Sequence, residues 1–230
     1  MKIEAFIIMY NEAEILPLVI KHYKKFCDRL TFFDNYSSDN SQQIAESMGC
    51  DVKKFGQPGV LDDQAYLDVK NHCWKNSDAD WVIVCDADEI LNPVPSDSKV
   101  YPTIFKTRGW NIYSNDMPKD SLLDITTGYE FHNYSKSIMF SPKDIKEMNY
   151  EPGAHKCNPI GNIVYSEETF DLLHYKNIGG VERLLKRNQE YRNRMSYQNK
   201  KMGWGIHYYD SEAKVRQEWI ERLAKSKPLL

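Results

Sequence analysis

The first 92 residues alternate short apolar runs with segments of helical periodicity, and this alternation restricts the possible folds more than any other feature. Apolar residues recur at helical intervals after Asn11, after Ser38 and over 62–76. The runs between them have the length and composition of buried strands. They are Ile3–Met9, LTFF at 30–33, DVKKF at 51–55 and WVIVC at 81–85. This order predicts an α/β fold with a mostly parallel, Rossmann-like sheet and helices on both faces.

Local signals predict where two of these helices begin and end. Asn11 and Glu14 have the spacing of a capping box, so they predict the start of the first helix. Gly49 stands where a glycine commonly ends a helix, so it predicts the end of the second one.

The pattern loosens beyond residue 92. The segment 92–103, NPVPSDSKVYPT, has the composition of a linker. Short strand-like runs follow at 137–140, 161–165 and 170–175, and residues 181–202 have the periodicity of one helix. We therefore expect a C-terminal portion in which strands and helices are mixed.

The two parts of the chain differ in charge, although the net charge is only −3. Residues 1–100 hold 10 Lys or Arg and 17 Asp or Glu, whereas residues 101–230 hold 20 and 16. One interpretation is that a cation and an anionic ligand meet between the two parts. The other is scatter over solvated faces. The acidic balance argues against a nucleic-acid partner.

Cysteine usage and hydropathy indicate the setting of the protein. The five cysteines are odd in number and lack the short spacings of zinc or redox motifs, so we expect reduced thiols and a cytoplasmic protein. The N-terminal apolar run is too short for a signal peptide. No stretch approaches the roughly 20 apolar residues of a membrane span. We expect a soluble protein, or one that lies on a membrane surface.

Polar residues follow the predicted strands at the edge where doubly wound sheets bind ligands. Asp86 and Asp88 come directly after the fourth strand, and an extended chain would point both carboxylates to one side. Such oxygen ligands suit Mg²⁺ or Mn²⁺; the alternative is a solvated turn beside a helix N-terminus. Asp34, after the second strand, suits hydrogen bonds from a base or sugar hydroxyls, or an Asx-turn.

Four motifs in this order resemble a known family. They are YNE at 10–12, DNYSSD at 34–39, Lys70-Asn71 and DADE at 86–89. Together they resemble the family-2 glycosyltransferases of the GT-A fold, in particular a small bacterial branch with a DxDE motif. The resemblance covers residues 3–92. It implies a nucleotide-sugar donor, usually UDP-linked, with a divalent cation such as Mn²⁺ or Mg²⁺ on its diphosphate. It also implies transfer with inversion of configuration at C1 of the sugar. Bacterial surface polysaccharide biosynthesis is the implied setting.

The resemblance also implies roles for particular residues. Residues 1–92 would bind the nucleotide sugar, and 93–230 would form the acceptor side and C-terminal helices of the same compact domain. Asp86 and Asp88 would bind the metal, with His174 as a further ligand; the alternative for His174 is an ordinary core or surface histidine. The implied donor contacts are Tyr10, Glu12 and Asp34 at the nucleoside and Lys70 and Asn71 beside them.

The C-terminal portion offers less specific candidates. His155 and Lys156 lie in a loop that could close over a diphosphate, or His155 could contact the acceptor sugar; a surface turn is the alternative. Lys136 is either a phosphate contact or an ordinary strand-edge lysine. For the catalytic base, Glu151 is favoured slightly over two other carboxylates, Glu130 and Glu89. The aromatic stretch 203–209, GWGIHYY, is either core or a surface for sugar stacking.

Residues 176–201 carry eight basic and two acidic side chains. A basic amphipathic helix can lie on an anionic membrane or face an anionic acceptor, and a solvated helix face is the alternative. The resemblance implies a glycan or lipid-linked acceptor, and the membrane alternative for this segment would place the protein at the inner face of the membrane. Two rival functions stay open: a phosphohydrolase that uses a DxD motif, and a non-catalytic module that binds nucleotides or carbohydrates.

Overall fold

The computed structural model describes residues 1–92 and 102–229. Its first 92 residues contain the predicted strands and helices in the predicted order. The strands are β1 Ile3–Met9, β2 Arg29–Asp34, β3 Asp51–Lys54 and β4 Trp81–Asp86, and the helices between them are α1 Leu16–Tyr23, α2 Ser41–Ser47 and α3 Asp63–His72.

These four strands are parallel and lie in the order β3-β2-β1-β4. The register places Met9 beside Asp34 and Ile8 beside Asp86. The carboxyl ends of β1, β2 and β4 therefore lie at one edge, and the polar residues that follow them are neighbours in space.

Alternate residues of β1 enter two different hydrophobic cores. Ala5 and Ile7 pack in the core that contains residues of α1 and α2, whereas Phe6 packs in the core that contains Leu67 and Trp74. Because successive side chains of a strand point to opposite faces, the two cores lie on opposite faces of the sheet. The prediction of helices on both faces is confirmed.

The predicted cap of α1 is wrong. Asn11 has a positive φ of 52° and uses its side-chain oxygen to accept from the backbone N–H of Ser38 at 2.8 Å. The helix begins five residues later, at Leu16, with no side-chain cap. Asn11 instead joins the loops that follow β1 and β2. The prediction at the other helix is confirmed, because Gly49 follows α2 with a φ of 73°.

The C-terminal portion mixes parallel and antiparallel strands, as expected. Its longest strand pairs parallel with β6 and antiparallel with β5. The strands are β5 Glu89–Asn92, β6 Ile104–Tyr113, β7 Thr127–Glu130, β8 Met139–Phe140, β9 Ile145–Glu147, β10 Ile160–Gly161, β11 Tyr165–Asn177 and β12 Lys227–Pro228. The predicted strand at 170–175 is part of β11. The predicted strand at 137–140 shortens to β8, and the one at 161–165 is wrong because its residues divide between β10, a loop and the start of β11.

The prediction of one helix over 181–202 is also wrong. The chain forms α4 Gly180–Arg194 and α5 Tyr197–Met202, and α6 Glu212–Ala224 follows. The break is at Met195, where Leu61 pairs with the chain: the N–H of Leu61 donates to Arg194 and the carbonyl of Leu61 accepts from Ser196. A tertiary backbone contact thus interrupts the helical pattern.

Two other expectations concern the linker and the membrane. Residues 93–101 of the predicted linker lie outside the described residues. Within the two described ranges, no helix combines the length and the apolar character needed to cross a bilayer. The five cysteines carry free thiols, and burial raises the pKa of Cys27 to about 12.

Candidate active site

A cavity of about 360 Å³ opens at the carboxyl edge of the parallel strands. The ends of β1, β4 and β11 form its floor, and the loop at 152–155 and residues 204–208 border it. Eight of the candidate residues named from the sequence line this cavity: Tyr10, Glu12, Lys70, Asp86, Asp88, Lys136, His155 and His174.

Asp88 and His174 are neighbours in the wall of this cavity, and their side chains face each other. Nδ1 of His174 donates to the side-chain oxygen of Asn111 at 2.9 Å, and Nε2 stands 3.5 Å from Oδ2 of Asp88. Tyr134 stacks on the imidazole with its ring centroid 4.4 Å away. This hydrogen bond and this stacking fix the orientation of the ring, as the hydrogen-bond partners of a metal-binding histidine do.

The Asp88–His174 pair has the donor chemistry of a cation site. With its proton on Nδ1, a neutral imidazole presents a lone pair at Nε2, and the facing carboxylate oxygen also presents lone pairs. Two acceptors that face each other need a proton or a metal ion between them. A carboxylate and an imidazole suit Mn²⁺. No group of three His, Cys, Asp or Glu side chains in the described residues is arranged to hold a metal, so these two would need ligand atoms from substrate or water.

Asp88 is held in its ionised form. Burial opposes ionisation of its carboxyl, but His174 in its protonated form, Arg187 and Lys176 outweigh that effect and hold the pKa well below its usual range. Nη2 of Arg187 lies 3.5 Å from Oδ2 of Asp88. The carboxylate is therefore ready to bind a cation at neutral pH.

Asp86 has different partners from Asp88. Strand β4 ends at Asp86 and the chain turns at Ala87, so the extended geometry expected for the two aspartates is wrong. Lys70 approaches Asp86 to 2.8 Å and Lys136 to 3.5 Å. Burial raises the pKa of Asp86, but these two ammonium groups outweigh it and lower the pKa overall.

Glu12 joins the two parts of the chain through Arg187. The guanidinium of Arg187 on α4 makes two hydrogen bonds to the Glu12 carboxylate, at 2.9 and 2.6 Å, and both residues are buried. Burial opposes the charge on Arg187, but Glu12 more than offsets this and raises the pKa of the guanidinium. The nucleoside contact implied for Glu12 stays a prediction, while the structure shows that Glu12 anchors α4.

Arg194 covers one face of Tyr10. Its guanidinium carbon lies 3.1 Å from the centroid of the Tyr10 ring, and it donates to Asn35 at the end of β2. A nucleobase stacked on Tyr10 would therefore use the other face of the ring.

Four other candidate residues do not line the cavity. Asp34 is fully buried, where it accepts from the N–H and hydroxyl of Ser37 and pairs with Lys54, so the Asx-turn alternative describes it better. Asn71 accepts from the backbone N–H of Tyr150 at 2.9 Å. The other two, Glu151 and Lys156, are exposed on the loop that borders the cavity.

The two lesser candidates for the base are also outside the cavity. Glu89 is 1% exposed; it pairs with Lys136 and accepts from the N–H of Asp86 at 3.0 Å. Glu130 is exposed and lines a separate surface depression. Asp63, at the start of α3, does line the cavity, and burial raises the pKa of its carboxyl. Among the described residues it is the cavity-lining carboxylate that has no ion-pair partner.

Several cavity residues come from segments that the sequence marked only as segments, without naming the residue that reaches the cavity. His207 and Tyr208 belong to the aromatic stretch at 203–209, which borders the cavity. His155 and His207 are exposed residues whose rings are partly desolvated at the cavity border, and this desolvation lowers the pKa of each to about 4. Lys176 also lines the cavity, and burial together with Arg187 lowers its pKa to about 8. The sequence marked Lys176 only as part of the basic segment 176–201. The charge of that segment does not show which of its side chains face the cavity.

The family model for glycosyl transferase family 2 matches residues 5–170. The match covers more than half of the chain, so the chain belongs to glycosyl transferase family 2. The resemblance carried by the four N-terminal motifs is confirmed, and so is the α/β fold with its mostly parallel mixed sheet.

Similar proteins extend well beyond the matched region. An uncharacterized glycosyltransferase of Rickettsia bellii is 32% identical over 112 residues, which are 49% of this chain and 35% of that protein. A second one, from Rickettsia felis, is 32% identical over 100 residues, or 44% and 33% of the two chains. The chain thus spans about a third of the length of these relatives.

Two solved structures are similar to this chain at low identity. S. aureus TarS 1–349 is 13% identical with a TM-score of 0.45, over 83% of this chain and 65% of that chain. Glucosyl-3-phosphoglycerate synthase from Mycobacterium tuberculosis, in complex with Mn²⁺, UDP and glucosyl-3-phosphoglycerate, is 19% identical with a TM-score of 0.34, over 47% and 44%.

Proposed function

We propose that this chain is a metal-dependent glycosyltransferase that moves a sugar from a UDP-linked donor to a glycan or lipid-linked acceptor, with inversion. The carrying observation is the facing pair of acceptors, Asp88 and His174, 3.5 Å apart in a cavity that Tyr10 and Asp86 also line. Membership of glycosyl transferase family 2 supports the reaction class.

Each group of cavity residues has its own role in this proposal. Asp88 and His174 would hold Mn²⁺ or Mg²⁺, which supplies positive charge to the diphosphate when bound. Tyr10 would stack on the base through its open face, and Asp86 would accept from a donor hydroxyl while Lys70 and Lys136 orient it. His155, neutral and at the border of the cavity, is placed to contact the acceptor.

Transfer exchanges one bond at C1 of the sugar for another. The bond from C1 to the diphosphate oxygen breaks, and its electron pair leaves with the nucleoside diphosphate. The acceptor oxygen bonds to C1 from the opposite face, and its proton passes to a carboxylate. Glu151 was the favoured base from the sequence; Asp63 now competes with it, because Asp63 lines the cavity and burial raises its pKa.

Calorimetric titration of UDP, with and without Mn²⁺, tests the donor site. We expect Mn²⁺-dependent binding in the wild-type protein that weakens at least tenfold, about 1.4 kcal/mol, in Asp88→Ala. Asp116→Asn, at an exposed position away from the cavity, is the matched control and should bind as wild type. Failure of the wild-type protein to bind UDP in the presence of Mn²⁺ would overturn the proposed donor.

The rival functions make different predictions in the same assay. A non-catalytic module would bind UDP but release none from UDP-sugars, whereas a transferase turns the donor over. A DxD phosphohydrolase would release inorganic phosphate and leave the bond at the sugar intact. Family membership favours the transferase over the phosphohydrolase.

The proposal includes a membrane contact, but through a different group of residues from the basic helix expected at 176–201. Of the basic residues at 176–201, Arg187 and Arg194 are buried and Arg183 pairs with Glu14. Exposed lysines and apolar side chains lie close together further along the chain: Lys200, Lys201, Tyr197, Met202 and Ile206. This group, at the border of the cavity, would place a cytoplasmic enzyme on the inner face of the membrane, where surface polysaccharide acceptors are lipid-linked.

A further inference from the structure

Lys176 occupies an unusual position for a lysine in this molecule. It lies two residues after His174 on β11, and both side chains line the cavity. Side chains two residues apart on a strand point to the same face, so Lys176 and His174 enter the cavity from the same side, and Asp88 lines it too. Any anion held by a cation at Asp88 and His174 would share this cavity with Lys176.

Two tyrosines hold the ammonium without neutralising it. Nζ of Lys176 lies 4.6 Å from the ring centroid of Tyr208 and 5.6 Å from that of Tyr191. The two rings lie 4.9 Å apart, and the hydroxyl of Tyr191 accepts from Arg187 at 3.0 Å. Aromatic faces attract a cation but leave its N–H groups available to an acceptor.

The other lysines of the cavity are already engaged. Lys70 pairs with Asp86, and Lys136 pairs with Asp86 and Glu89. Within the described ranges, Lys176 makes no ion pair and donates no hydrogen bond. It is thus the cavity lysine whose donors are free for a ligand, and the ligand must be an acceptor with negative charge.

We propose that Lys176 directly contacts the phosphate oxygens of a nucleoside diphosphate in the cavity, and that Tyr191 and Tyr208 hold its ammonium toward them. The identity of this ligand rests on the proposed function. A compact ammonium with three donors suits phosphate oxygens. When the bond to C1 breaks, negative charge grows on the leaving diphosphate, so the contact strengthens during the reaction.

Binding measurements separate the phosphate contact from a structural role. Calorimetry with UDP, uridine and inorganic pyrophosphate, each with Mn²⁺, is made on wild type, Lys176→Met and Lys186→Met. Lys186 is exposed on α4 and provides the matched loss of charge. We expect Lys176→Met to weaken UDP and pyrophosphate about 10- to 100-fold and to leave uridine unchanged. Lys186→Met should bind all three probes as wild type.

The outcomes distinguish this inference from the proposed function. Equal weakening of UDP and uridine, or no weakening of either, would overturn the role of Lys176. Pyrophosphate binding that depends on Lys176 in a protein that ignores UDP would reject the UDP donor and keep the anion site. Wild-type protein that binds neither probe would overturn both. If Lys176→Met does not fold by circular dichroism, Lys176→Gln, which keeps hydrogen-bond donors and removes the charge, takes its place.

Discussion

The N-terminal and C-terminal parts of this chain bring opposite charges to one cavity. The strand ends of the first 92 residues supply carboxylates, of which Glu12, Asp86 and Asp88 line it. The later segments supply cations, among them Lys136 and Lys176. Each part alone would leave buried or half-buried charges without partners, which is costly.

The ion pairs that cross between the parts show what this difference means. Arg187 binds Glu12, Lys136 binds Asp86 and Glu89, and Arg183 binds Glu14. The uneven charge along the sequence is therefore not scatter over solvated faces alone. Its concentration at the cavity fits the interpretation that a cation and an anionic ligand meet there.

Removal of the Glu12–Arg187 pair should have the largest effect. Arg187→Met leaves the Glu12 carboxylate buried without its partner, so we expect a loss of about 3–5 kcal/mol in the free energy of unfolding. Urea denaturation followed by circular dichroism measures it, with Lys186→Met as the control. The double variant Glu12→Gln/Arg187→Met should recover much of the loss. A single-variant effect below about 1 kcal/mol would show that the parts are held together by other contacts.

Turnover rates of two variants should identify the catalytic base. Release of UDP from UDP-glucose, with water as the acceptor, is measured for Asp63→Asn and Glu151→Gln. Loss of a general base costs about 10²–10⁴ in rate, so we expect a loss of at least about 100-fold in Asp63→Asn and a smaller one in Glu151→Gln. The reverse order would return the role to Glu151. UDP affinity should stay unchanged in both variants, because neither residue is proposed to touch the diphosphate.

The pH dependence of stability tests the core beneath the site. His22 on α1 is 7% exposed, and burial lowers its pKa. The unfolded chain binds a proton at about pH 6.5, while the folded chain stays neutral to lower pH. Stability should therefore fall as the pH drops below 6.5 and level off below the folded pKa. His22→Gln should flatten this slope, and the exposed His72→Gln should not; equal slopes in all three proteins would contradict a neutral buried imidazole.

Membrane attachment should show the smallest effect. Flotation with vesicles of phosphatidylglycerol and phosphatidylcholine should recover the wild-type protein, and Ile206→Glu should reduce recovery several-fold. Ile220 on α6 is similarly exposed, at 63% against 71% for Ile206, so Ile220→Glu is a matched control. Equal recovery of both variants would place any membrane contact elsewhere.

The sequence predicted the fold of residues 1–92 more accurately than that of the C-terminal portion, and the reason is physical. Strands β1 to β4 and helices α1 to α3 carry their own periodicity, and a parallel sheet forces their carboxyl ends to one edge. Family motifs at that edge then indicated Tyr10 and the DADE stretch. The helix break at Met195 depends on backbone pairing with Leu61, which lies 134 residues earlier and leaves no local trace.

The same difference applies to the site. Asp86 and Asp88 could be found because they follow a buried strand, but only tertiary structure shows that Lys70 and Lys136 pair with Asp86 while His174 faces Asp88. The direction of Lys176 depends on Tyr191 and Tyr208, and no local pattern encodes it. Asp34 shows that a motif residue at a strand end can have a structural role instead, because its carboxylate accepts a hydrogen bond from Ser37 in the following turn.

In the proposed function, the metal ion binds between the two parts of the chain, with Asp88 from one part and His174 from the other. The most direct measurement is a double-mutant cycle on the Mn²⁺-dependent part of UDP binding, with Asp88→Asn, His174→Gln and the double variant. We expect each single variant to weaken this part at least tenfold, and the double variant to add little, because the two residues would share one ion. Mn²⁺-dependent binding that survives in His174→Gln, or losses that add fully, would contradict a shared metal site.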